Sequence, residues 1–89
     1  MNAHDTRIKR IKYRSWHRGC KETDVVLGPF AEKHIESLSA DELDIYEQFL
    51  EEIDSNIWNW LVEKDLEFDK KYKPLIERLR RFTQEQHAI

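Results

Sequence analysis

"SADELDIYEQFLEEI", residues Ser39 to Ile53, decides the fold class. Leu43, Tyr46, Phe49, Leu50 and Ile53 recur at helical spacing and gather into one apolar stripe, with Asp44, Glu47, Glu51 and Glu52 on the opposing face. Ser39 followed three residues later by Glu42 forms a capping box, in which hydroxyl and carboxylate each satisfy a backbone N–H that the first turn leaves without a partner. The stretch is an amphipathic helix, and such a helix needs neighbours to cover its stripe.

Toward the C-terminus, "DSNIWNWLVEKD" offers Asp54 or Ser55 as an N-cap and places Ile57, Trp60 and Leu61 on one face. Trp60 is expected in the core, and Trp58, further round the helix, at an exposed or interface position. A last helix carries Leu75, Ile76, Leu79 and Phe82, with Pro74 in its first turn, where a missing N–H costs nothing. Toward the N-terminus, a helix starting near Glu22 to Asp24 would bury Leu27, Phe30, Ala31, His34 and Leu38. Pro29 cannot donate to the Val25 carbonyl, so Gly28-Pro29 predicts a kink or a break there. Ile8 and Ile11 indicate a basic helix of one or two turns, with Gly19 as its C-terminal stop. The sum is an all-α fold, a small bundle of about five short helices.

At 89 residues the chain is a single domain, 1–89, with 1–6 and 84–89 expected as frayed ends. Although 37% of the residues are charged, three Trp, three Tyr and four Phe supply bulk for a compact core. Cys20 is the only cysteine, which excludes an internal disulfide and gives no sign of an oxidising compartment. No apolar run is long enough to span a membrane, and Met1 to Arg10 lack the apolar core of a signal peptide, so the expected location is the cytoplasm. The net charge of -3 conceals an asymmetry: Arg7, Lys9, Arg10, Lys12, Arg14, Arg18 and Lys21 crowd the start, and acids from Glu36 to Asp54 fill the middle. A basic arm beside an acidic body suits a charged partner, although solvated helix faces are the ordinary reading of such runs.

Catalytic and metal chemistry find little support. His17 and Cys20 have a ligand-like spacing, but His4 and His34 do not form a second close pair, and a structural zinc site wants four convergent ligands. Cys20 lacks a positioned base, no phosphate-cradling glycine motif occurs, and Glu51 with Glu52 fits a solvated face. An alternative function is a helical adaptor binding nucleic acid or another acidic partner through the basic N-terminal arm, with Tyr13 and Trp16 as stacking residues. A sequence pI of about 5.8 weighs against nucleic acid.

"HRGCKETD", His17 to Asp24, leaves two readings of Gly19 open, a helix C-cap and a backbone that a partner can approach closely. Arg18, Gly19 and Glu22 fit an R-G-x-x-E pattern, followed in order by Asp24, Gly28-Pro29-Phe30, a Ser-Leu-Ser before acids, and an acid-rich stretch ending in Trp60-Leu61. This ordered set, from Arg14 to Leu61, resembles the succinate dehydrogenase assembly factor 2 family, also called SdhE or FAD assembly factors. The resemblance implies a five-helix bundle that binds the flavoprotein subunit of succinate dehydrogenase, in some bacteria also fumarate reductase, and promotes covalent attachment of FAD to a histidine of that subunit. It implies a chaperone-like maturation factor and not an enzyme, with no catalytic residue and no stably bound cofactor, FAD belonging to the partner. Arg18, Gly19 and Glu22 would centre the contact, with Arg18 donating charge-assisted hydrogen bonds and Glu22 pairing with a cation or orienting Arg18. Asp24 would join them or cap the next helix; Trp16 and His17 would form the rim. The expected protein is a monomer in the bacterial cytoplasm, or in the mitochondrial matrix as a mature chain.

Overall fold

A computed structural model describes residues 2–18, 20–63 and 67–87. The chain forms α1 (Ala3–Trp16), α2 (Lys21–His34), α3 (Ala40–Leu50), α4 (Asp54–Val62) and α5 (Lys73–His87), with single 3₁₀ turns at Ile35–Ser37 and Lys70–Tyr72. The fold is an all-α bundle of five helices, without a strand among the described residues. Residues 3–6 and 84–87, expected at the margins, lie within α1 and α5.

The central stretch behaves as its pattern dictates. Ser39 Oγ accepts from the Glu42 amide at 3.2 Å while Glu42 Oε1 accepts from the Ser39 amide at 2.9 Å, and Leu43, Tyr46, Phe49 and Leu50 are buried. Ile53 departs from the stripe: α3 ends at Leu50, and Ile53 stands beyond it, 68% exposed. Neither Asp54 nor Ser55 caps α4; Ile53 holds the N-cap position and Asp54 is the first helical residue.

α1 is fourteen residues long, well beyond the expected one or two turns. Its last turns hide in the sequence because the buried line Ile8, Ile11, Ser15 ends in a polar residue. Ser15 tolerates full burial because its hydroxyl lies 2.8 Å from both the Ile11 carbonyl oxygen and the Tyr46 hydroxyl. Of the kink or break expected at Gly28-Pro29, the break does not occur: one helix, Lys21–His34, runs through Pro29. An interior proline costs about 3 kcal/mol. Burying Val26, Leu27 and Phe30 on both sides of the break point returns roughly 1.5–3 kcal/mol each, so continuity wins.

The core unites all five helices through Ile11, Leu27, Phe30, Tyr46, Phe49, Ile57, Ile76 and Leu79. Phe30 stacks on Tyr46 at 6.0 Å and meets Phe82 edge-on at 5.6 Å, while His34 packs half-buried against Phe30 and Phe82. Trp58 and Trp60 are both half-buried against the core, Trp60 beside Phe49 and Tyr72. Arg80 closes the end of α4, Nη2 donating to the carbonyls of Trp60 at 2.6 Å and Glu63 at 3.1 Å.

The charge asymmetry is largely satisfied inside the molecule. Arg7 pairs with Asp44 at 2.6 Å and with Glu47, Lys12 with Glu36 at 3.1 Å, and Arg14 with Glu51. Arg7, Lys12 and Arg14 of the basic arm thus lie against acids of α3 and its neighbours. Among the described residues, no helix is long and apolar enough to cross a membrane.

Candidate partner-binding corner

The last turn of α1 and the first turn of α2 meet at a corner held by main-chain amides and carbonyls together with the side chains of Thr23 and Asp24. The His17 amide donates to the Tyr13 carbonyl at 3.1 Å, ending α1, and the two rings pack tilted with centroids 4.3 Å apart. The Arg18 amide donates to Asp24 Oδ1 at 2.8 Å. Cys20, in extended conformation, is the N-cap of α2; its carbonyl accepts from the Asp24 amide at 3.0 Å and from Thr23 Oγ1 at 3.0 Å. Asp24 therefore holds the Arg18 amide and does not cap α2, whose N-cap Cys20 makes no side-chain capping bond. Gly19 lies outside the described residues.

Arg18 turns inward. Its Nε donates to Asp54 Oδ1 at 2.9 Å, its Nη2 to the Glu52 carbonyl at 2.6 Å, and its Nη1 to the Leu50 carbonyl. With its side chain only 12% exposed, the guanidinium joins the end of α3 to the start of α4. The carbonyls of a helix C-terminus lack intrahelical donors and carry the negative end of the helix dipole, so a cation is well placed there.

Glu22 does not orient Arg18; Asp54 does. Glu22 is exposed and accepts from Cys20 Sγ at 3.1 Å. That bond, reinforced by its own backbone amide and by Lys21, holds the Glu22 carboxyl below the usual carboxylate range, so it is ionised at neutral pH.

Trp16 lies across α2. A methyl group placed on Gly28 would come within 2.7 Å of Trp16 Cε2 and nearer to two other indole atoms, so the ring uses the space that the missing side chain leaves. Its Nε1 donates to Glu32 Oε1 at 3.3 Å, and 39% of the residue remains exposed. Val25, one turn before Gly28 on the same helix face, is 53% exposed, and Tyr13 66%. The corner therefore presents Tyr13, Trp16, His17, Glu22 and Val25 outward, with Arg18 and Asp24 fixing it from behind. Val25 and the roles of Gly28 and Asp54 escape a reading of the sequence. Val25 carries only the pattern of a helix interior, Gly28 reads as part of a helix-breaking Gly-Pro pair, and Asp54, read as a candidate N-cap, lies far along the chain from Arg18. The described residues contain no cluster of three or more His, Cys, Asp or Glu able to hold a metal.

The family model described as flavinator of succinate dehydrogenase matches residues 9–83, which takes in part or all of each of the five helices. The chain belongs to that family. Among flavinator-family relatives, it is 45% identical over 56 residues to succinate dehydrogenase assembly factor 2, mitochondrial, of Meyerozyma guilliermondii, covering 63% of this chain and 42% of that protein. The same-named protein of Candida glabrata is 38% identical over 74 residues, 83% of this chain and 45% of the relative. The FAD assembly factor SdhE of Acetobacter pasteurianus is 34% identical over 73 residues, 82% of this chain and 67% of the relative. The chain thus spans less than half the length of these two mitochondrial relatives. The match to the flavinator family includes the whole corner from Tyr13 to Gly28.

Proposed function

We propose that this chain docks on the flavoprotein subunit of succinate dehydrogenase and promotes covalent attachment of FAD to it. The observation that carries this reading is the family match across all five helices. The chemistry belongs to the flavin and its flavoprotein, where a histidine attacks the activated flavin methyl carbon, and FAD stays with that subunit. This chain supplies no reacting group. It acts as a monomer that binds and favours the competent arrangement of the flavoprotein, in the bacterial cytoplasm or the mitochondrial matrix.

Trp16, His17, Gly19 and Glu22 form the contact, with Tyr13 and Val25 beside them. The ionised Glu22 meets a cation of the partner, and the exposed edge of Trp16 supplies apolar area. Arg18 and Asp24 act as positioning residues, because Arg18 spends its donors on Leu50, Glu52 and Asp54. The adaptor alternative is disfavoured by the ion pairs of Arg7, Lys12 and Arg14, which already occupy much of the basic arm.

The test is in-gel flavin fluorescence of denatured flavoprotein subunit produced with and without this chain. Fluorescence that depends on the chain is the expected result; equal fluorescence without it overturns the reading. The flavoprotein of fumarate reductase, assayed alongside, decides whether it is a second client.

A further inference from the structure

We infer that Ile53, in the turn between α3 and α4, is an apolar anchor for the flavoprotein subunit. The inference rests on the proposed docking role and extends the contact surface to a second segment of the chain. An exposed isoleucine is ordinary by itself. Ile53, however, has the highest exposure of the large apolar residues described, and it occupies a position where the fold would be better served by another residue.

That position is the N-cap of α4, with φ -69° and ψ 138°. An N-cap favours Ser, Thr, Asp or Asn, whose side-chain oxygen accepts from an otherwise unpaired amide of the first turn, and isoleucine ranks among the poorest choices. The neighbouring Asp54 carboxylate is drawn to Arg18. Ile53 thus forgoes a capping bond and displays apolar surface, and the stability of the bundle accounts for neither.

The turn is also tied to the end of α1 by several side chains. Arg18 grips the residues immediately before and after Ile53, through the Glu52 carbonyl and the Asp54 carboxylate. Arg14, one helical turn earlier, bridges to Glu51, and the Tyr72 hydroxyl donates to Glu52 Oε2 at 3.0 Å from the other side. Ile53 therefore sits in a turn whose neighbouring residues are bonded to the end of α1, the end that carries exposed Tyr13, Trp16 and His17, and those bonds order the turn before a partner arrives. Glu51 and Asp54 flank it, and exposed Glu22 belongs to the same corner. The complementary surface on the flavoprotein is an apolar depression with a basic rim.

The experiment compares the unaltered chain with Ile53→Ser and Ile53→Leu, reading melting temperature and affinity for the purified flavoprotein subunit that has not yet acquired covalent flavin. Serine caps α4, so Ile53→Ser is expected to melt higher and yet bind about tenfold more weakly, the loss typical of a truncated interface anchor. Ile53→Leu keeps the apolar surface and is expected to bind within about threefold of the unaltered chain. Equal binding by Ile53→Ser, with the unaltered chain binding well, overturns the anchor and leaves the docking role standing. A lower melting temperature with a parallel loss of binding assigns Ile53 to the fold and also overturns it. Binding by none of the three overturns both.

Discussion

At Arg18, one planar guanidinium meets three acceptors, the carbonyl of Leu50 in α3, that of Glu52 in the following turn and the carboxylate of Asp54 in α4. A lysine ammonium cannot reproduce that fork, because its donors radiate from one point. Replacing Arg18 with alanine strands the Leu50 carbonyl at the end of α3, the Glu52 carbonyl of the turn and a half-buried carboxylate, so Arg18→Ala is expected to lower the unfolding free energy by about 2–4 kcal/mol, with Arg18→Lys in between. Urea denaturation measures this; an Arg18→Ala chain of unchanged stability would refute the clamp. Loss of flavin attachment in an Arg18 variant must therefore be weighed against its folded fraction. The R-G-x-x-E pattern marks Arg18 as special, but its acceptors lie 32 to 36 residues away, and two of them are main-chain oxygens that no residue type advertises.

Among the elements, α3 and α5 were legible because their signals agreed, a stripe with a capping box in one and a stripe with a proline where its missing N–H is harmless in the other, although Ile53 at the end of the first stripe falls outside α3. α1 runs longer than its pattern suggests because Ser15 closes its buried line, and α2 continues where Gly28-Pro29 suggests a kink or a break because apolar burial spans Pro29. The family resemblance supplied the corner from His17 to Asp24, while the geometry behind it, including the role of Gly28, depends on packing between α1 and α2. Gly28→Ala exposes that packing. Helix propensity alone favours alanine by about 1 kcal/mol. The added methyl meets three indole atoms of Trp16 at under 3 Å, and such overpacking costs about 1–3 kcal/mol unless the ring leaves. The variant is expected to be less stable, or to release Trp16 from α2 with a change in near-ultraviolet circular dichroism. A more stable variant with an unaltered spectrum would contradict the account.

Across the whole molecule, two phenols are buried at the junctions of the bundle. Burial pushes Tyr46 well above the ordinary tyrosine value, and Tyr72 is pushed up to about 12 by burial and by the neighbouring Glu52. Both are neutral in the fold, so their contribution is fully present below about pH 10, the ordinary tyrosine value expected in the unfolded chain. Above that value the unfolded chain sheds protons that the folded chain keeps, and stability falls as pH rises toward the folded values. Urea melts from about pH 8 to about pH 11 are expected to be flat at first and then to decline, more gently for Tyr72→Phe, by up to about 1.4 kcal/mol per pH unit for each tyrosine. Stability unchanged up to about pH 11 would contradict this. The same bundle places Arg18 behind the corner and Glu22 on its open face, which separates holding the fold from meeting the partner. Glu22→Ala tests that separation most directly, because the residue is exposed and its only described side-chain partner is the Cys20 thiol. The measurement is in-gel flavin fluorescence of the flavoprotein subunit produced with this variant, beside its melting temperature. The account predicts an unchanged melting temperature and most of the covalent flavin lost; full fluorescence from a folded Glu22→Ala chain would contradict it.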